Sequence, residues 1–181
     1  MMSLPSDPVL PYVRTDRLRD LYHFTDTRNL PSIREHGGLF PLAELRRRGI
    51  SIRAPGGSEL SHRLDTERGL DEYVHLCFRA QHPMEHVARQ DGRIAESVFL
   101  RIDARVAAWP DVRFASGIAY STGVEIHVMD EAFKLIDFEV LYRYTDWRDS
   151  DIQERLKRAT KYELLVPRKI PIALIRNIPD G

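Results

Sequence analysis

Near its end the chain reads Thr160-Lys161-Tyr162-Glu163-Leu164-Leu165-Val166-Pro167, a strand-like run that opens on a carboxylate and passes at once into Leu-Leu-Val. Strands favour β-branched and aromatic residues, and glutamate is depleted in them. The charge therefore either faces water, as edge-strand charges do, or serves a purpose for which the strand aims it. Runs of similar brevity recur at 21–25, 73–78, 97–102, 112–114, 124–128, 138–142 and 172–178, and all of them read as strands. In 73–78 the alternation puts Val74, Leu76 and Phe78 on one face.

Helical spacing is sparser. Asp26 or Thr27 can cap a helix carrying Leu30, Ile33 and Arg34, which Gly37-Gly38 ends. Residues 41–48 make a turn or two, 82–90 a short helix with Pro83 in its first turn, and 149–160 a polar helix. The stretch 49–69 lacks periodicity and reads as a long ordered loop, a length that tends to be functional. Residues 1–18, with Pro5, Pro8 and Pro11, form an irregular lead-in. With no repeat, heptad run or low-complexity tract, the expected architecture is a single α+β domain over 1–181, two packed sheets of short strands with few helices.

Bulk properties narrow the class. At 181 residues, one domain can bury about two-thirds of its extended-chain surface. The 27 basic and 27 acidic side chains cancel, so a nucleic-acid partner would meet a local basic patch such as Arg46-Arg47-Arg48 with Arg53. The lone cysteine, Cys77, excludes an internal disulfide and suits a reducing compartment. No run approaches the ~20 apolar residues of a membrane span, and no signal pattern opens the chain. A cytoplasmic protein is expected.

Three groups of residues can carry chemistry. His82-Pro83-Met84-Glu85-His86 matches the H-x-x-E-H metal pattern, but it lacks a supporting acidic ligand and reads better as a solvated helix start; no metal is expected. The glycine-bearing loops Ala54-Pro55-Gly56-Gly57-Ser58 and Ser116–Gly123 lack the spacing of phosphate-cradling loops and read as turns. The third group is distributed: His23 and Thr25 on the first strand, Arg63 beside Asp65, and Glu163. Each has a plain alternative, as a core histidine, a surface charge or an edge-strand charge.

Three blocks, in order, alter that balance. Tyr22-His23-Phe24-Thr25 through Gly37-Gly38-Leu39, then Leu70-Asp71-Glu72-Tyr73-Val74 through Pro83-Met84, then Lys161-Tyr162-Glu163 through Ile178 resemble the opening, central and final blocks of the DarT family. The resemblance implies an ADP-ribosyltransferase fold with NAD in a cleft between two sheets. It implies transfer of ADP-ribose from NAD, as co-substrate, to bases of single-stranded DNA by a toxin paired with a macrodomain antitoxin. It further implies that Glu163 is catalytic, that His23 and Thr25 hold the ribose end of NAD, and that Asn29 and Gly37 border the cleft. The family's catalytic arginine matches Arg53, Arg63 or Arg68; Arg63 is favoured. Tyr73, Phe78 or Tyr120 can stack on nicotinamide or on a splayed base. The alternatives are an enzyme of the same fold acting on RNA or protein, and a non-catalytic binding domain.

Overall fold

The computed structural model describes residues 17–143 and 145–178. Among them, six strands form one sheet: β1 (Leu21–Asp26), β3 (Val74–Cys77), β4 (Ser97–Ile102), β5 (Arg113–Ala115), β6 (Ile126–Val128) and β7 (Glu163–Val166). Their order is β4-β1-β3-β7-β5-β6, and every neighbouring pair is antiparallel. A second sheet pairs β2 (Gly38–Leu39) with β8 (Ile170–Pro171). The expected two sheets of short strands are present but unequal in size.

The larger sheet is itself split. β1 pairs with β4 at six positions, from Leu21↔Ile102 to Asp26↔Ser97, yet meets β3 in register only at Tyr22↔Cys77. Beyond that pair the ladder stops, and His23 Nδ1 donates instead to the His75 carbonyl oxygen at 3.0 Å. The carbonyl is satisfied by a side chain, as buried backbone groups must be, and the interval between the halves can open as a cleft.

β7 lies between β3 and β5, so it is a central strand with both flanks hydrogen-bonded. Leu164, Leu165 and Val166 are fully buried, each contributing about 1.5–3 kcal/mol. That total offsets the several kcal/mol that burying a charge on the same strand costs. One face of the sheet carries Val74, Leu76, Phe78, Phe114, Leu164 and Val166 into the main core. The register puts Cys77 and Ala115 opposite Glu163 on the other.

The helices are α1 (Leu30–Glu35), α2 (Leu42–Arg47), α3 (Glu59–Glu67), α4 (Pro83–Gln90), α5 (Met129–Leu135), α6 (Phe138–Tyr142) and α7 (Ser150–Ala159). α3 corrects the expectation of a loop over 49–69. Ser58 caps it by accepting from the Ser61 N–H at 3.1 Å, but its face is so polar, with Leu60 half exposed, that no apolar period betrays it. Residues 138–142 are helical where their aromatic and β-branched composition suggests a strand. Asp137 caps the turn, and Arg155 of α7 holds both Asp137 and Glu139; tertiary bonds override propensity. The expected strand over 172–178 is a 3-10 turn at Ile172–Leu174 with a single bridge, Ile175↔Ile102. It covers the edge of β4 through bonds such as Arg176 N–H to the Arg101 carbonyl at 2.8 Å.

At the join of α1 and β2 only glycine fits position 38: φ is +145°, and a Cβ would lie 2.1 Å from the Ile170 carbonyl oxygen.

Candidate active site

A cleft of about 240 Å³ is lined by residues of β1, β3 and β7 and of α1, α2 and α3. Glu163 lies in it, 7% exposed. Its Oε2 accepts from His75 Nδ1 at 3.1 Å and from the Ala119 N–H at 3.0 Å, and its Oε1 faces His82 Nε2 at 3.5 Å. The three donors come from β3, from the loop after β5 and from the cap of α4, so several separate elements fix one carboxylate.

The protonation of His75 follows from its partners. Nε2 meets the Leu70 carbonyl oxygen at 2.9 Å and Nδ1 meets the Glu163 carboxylate. Both partners are acceptors, so both nitrogens donate and the ring is an imidazolium. Burial works against that charge, but the bond to Glu163, its charge and that of Asp65 push His75 up to about 9. For Glu163, burial favours the neutral acid; the His75 bond and charge, His82 and the Ala119 N–H outweigh it and hold the carboxyl below its ordinary range. Glu163 is an anion at neutral pH.

His82 is neutral: it is buried, its Nδ1 accepts from the Met84 N–H at 3.3 Å, and desolvation lowers its proton affinity. The tautomer therefore presents Nε2–H to Glu163. This divides the H-x-x-E-H pattern, because His82 turns inward as a helix cap while His86 is exposed. The loop of Ser116–Gly123 is more than a turn. Arg68 donates to the Ala119 and Ser121 carbonyls at 2.6 and 3.1 Å, which steadies the loop whose Ala119 N–H holds Glu163.

At the opposite rim, His23 donates Nδ1–H to the strand, so its neutral Nε2 is left as an acceptor; burial lowers its proton affinity further. Asn29 donates to Thr25 Oγ1 at 3.0 Å and to the Ala54 carbonyl at 2.7 Å, and accepts from the Ala54 N–H at 3.0 Å. Asn29 thus ties the 54–58 loop to β1 and leaves the Thr25 hydroxyl proton free to donate. Gly57 in that loop packs where a Cβ would sit 2.4 Å from His62 Nε2.

His23, Thr25, Asn29, Tyr73, Tyr120 and Glu163 all line the cleft. Phe78 does not: it is 2% exposed and packs edge-on against Phe114 and Tyr162 in the core, as its alternation with Val74 and Leu76 requires. Gly37 lies behind the wall as the positive-φ end of α1, and Gly38 lines the cleft instead. Arg63 points away from the cleft; it is 68% exposed and 3.9 Å from Glu67. Arg68 serves the 116–123 loop and Arg53 is exposed, so among the described residues no arginine or lysine lines the cleft. Arg46, Arg47 and Arg48 each already pair with a carboxylate, of Asp71, Glu72 or Glu44. Sequence reasoning missed His75 and Ala119; it read His82 as part of a solvated helix start and Asp65 only as the neighbour of Arg63. Only His75 left a signal, lying on the face of 73–78 opposite the apolar set.

A family model described as "ssDNA thymidine ADP-ribosyltransferase, DarT" matches residues 22–179. The chain belongs to the DarT family. Among solved structures it resembles Thermosipho africanus DarTG in complex with ADP-ribose, with TM-score 0.66 and 23% identity over 87% of this chain; it spans 43% of that protein. It also resembles Thermus sp. 2.9 DarT, in complex with ADP-ribosylated ssDNA (TM-score 0.65, 18% identity, 86% of this chain and 78% of that one) and with NAD+ (0.57, 21%, 87% and 79%). The likeness bears out the expected ADP-ribosyltransferase fold. A comparison with curated protein sequences finds no match.

Proposed function

We propose that this DarT-family chain transfers ADP-ribose from NAD to thymine bases of single-stranded DNA, with Glu163 as the catalytic carboxylate. Membership of the family over residues 22–179 supports the activity. The observation that carries the residue assignment is a buried Glu163 lining a cleft, its carboxylate bonded by the His75 ring and the Ala119 N–H. Breaking the bond between nicotinamide and the ribose C1′ builds positive charge on the ribose. A fixed anion facing that charge is worth about 3–4 kcal/mol, and a hydrogen bond from the ribose 2′-hydroxyl to it strengthens as the charge grows. His75 and the Ala119 N–H keep the anion in place without reorganisation during the reaction. His23 Nε2 and the Thr25 hydroxyl offer an acceptor and a donor for the ribose end of NAD, with Asn29 setting Thr25. Tyr73 and Tyr120 offer faces on which nicotinamide or an unstacked base can rest.

No helix among the described residues is long and apolar enough to cross a membrane. The proposed place of action is the cytoplasm, and the proposed biological role is a toxin restrained by a macrodomain antitoxin that removes the modification. Incubation of labelled NAD with separate single-stranded DNA, RNA and protein tests the reading. Label passing to DNA that contains thymidine supports it. Label on RNA or protein alone overturns the acceptor, and NAD binding without any transfer makes the chain a binding module.

A further inference from the structure

Asp65 lines the same cleft. It sits on α3, and its Oδ1 is buried without a hydrogen-bond partner. An unsatisfied buried oxygen costs about 1–3 kcal/mol, and a carboxyl that lines the cleft with one oxygen unbonded is a stronger base than one held by donors. Of the three carboxylates that line the cleft, Asp71 is bonded by Arg46 and Thr66, and the other two are in opposite conditions. Oε2 of Glu163 accepts two hydrogen bonds that stabilise its anion, with His82 Nε2 3.5 Å from Oε1, whereas Oδ1 of Asp65 has no partner.

The proposed reaction needs a proton acceptor. Thymine carries its single N–H at N3, so a ring nitrogen that attacks ribose C1′ must shed a proton. Glu163, held as an anion by His75, His82 and Ala119, is the weaker base of the pair.

We propose that Asp65 accepts the N3 proton of the target thymine. As the N3–C1′ bond forms, the C1′–nicotinamide bond breaks and its electron pair leaves with neutral nicotinamide. The N3 proton moves to Asp65 and from there to water when product departs. The charge environment agrees. Desolvation first, then the charges of Glu163 and Asp71, raise Asp65 to about 6, opposed by His75 and Arg68. That lies close to the pH at which a general base works best. Two carboxyls pushed apart in this way are the usual mark of divided acid–base roles. The other groups that face this part of the cleft are His62, whose proton affinity burial lowers, and Tyr120.

The proposal rests on thymine in single-stranded DNA as acceptor, so wild type is measured first, on a thymidine oligonucleotide between pH 5 and 9. The rate should climb through about pH 6 and then level. Asp65→Asn should keep NAD affinity within about threefold, melt no lower than wild type at pH 7.5, transfer at least about 30-fold more slowly there and lose the inflection. His62→Gln should keep the inflection. An oligonucleotide carrying 5-fluorodeoxyuridine, whose N3–H is more acidic, should recover much of the Asp65→Asn loss. Asp65→Ala with added formate should regain part of its rate. Asp65→Asn at the wild-type rate, a slowed enzyme that keeps the inflection, or loss of NAD affinity in step with transfer would each overturn the role. Wild type that labels RNA or protein and not DNA overturns the acceptor reading and this proposal with it, a result told apart because it appears without any mutation.

Discussion

Two buried carboxylates stand at strand ends in this protein, and they are handled in opposite ways. Asp26, the last residue of β1, is fully buried and accepts from the Arg28 N–H, Nε and Nη2 and from the Ala95 and Glu96 N–H groups at 2.7–3.3 Å. Those donors fill its lone pairs and hold it far below its ordinary value, the Arg28 bonds first. Glu163, the first residue of β7, has two bonds and a third donor at 3.5 Å, and a cleft before it. The saturated acid is a clamp joining β1 to the segment before β4. The under-saturated one keeps its charge through His75 and has capacity left for a ligand.

The contrast is sharpest in stability. Asp26→Ala strands the Ala95 and Glu96 N–H groups and should cost roughly 3 kcal/mol, a fall of about 6–12 °C in Tm. A fall below 2 °C in scanning calorimetry would erase the contrast. Acid should act the same way: the Asp26 contribution is present above about pH 4 and is lost as pH falls through its depressed folded value.

His75→Gln sharpens the other half. Losing a charge-assisted donor should slow transfer by about tenfold and raise the pH at which Glu163 becomes ionised, visible in the Asp65→Asn background, where the Asp65 inflection is gone, as an acid limb that moves to higher pH. Because the folded His75 is raised to about 9, its stabilisation is full below about pH 6.5 and disappears as pH rises through 9. Wild-type Tm should therefore drop between pH 8 and 10 more steeply than that of His75→Gln. Equal slopes would refute the imidazolium.

The smallest effect is expected at Arg63. Its side chain is two-thirds exposed beside Glu67, so Arg63→Ala should stay within about 0.5 kcal/mol in stability and twofold in transfer. A hundredfold loss would move the family's arginine back to this position.

The strands that build the site were legible because their signals are local. Alternation in 73–78, the apolar run after Glu163 and the cap before α1 each act within a few residues. Glu163, His23 and Thr25 followed from ordered resemblance to a family, and all three line the cleft. What escaped notice is long-range. The Ala119 N–H reaches Glu163 across 44 residues, and a backbone donor leaves no mark on composition. α3 hid behind a polar face, and with it the inward turn of Asp65 rather than Arg63. Phe78 was open to better reading: the alternation that buries Val74 and Leu76 buries it too, and no stacking role is compatible with that face.

Glu163→Gln tests the central claim most directly, because the amide keeps the shape and removes the charge. NAD affinity, Tm and the rate of ADP-ribose transfer to single-stranded DNA should be measured on one preparation. The account predicts NAD affinity within about threefold, a folded protein, and transfer slowed by about 100-fold or more. Transfer at the wild-type rate would contradict it and remove Glu163 from the chemistry.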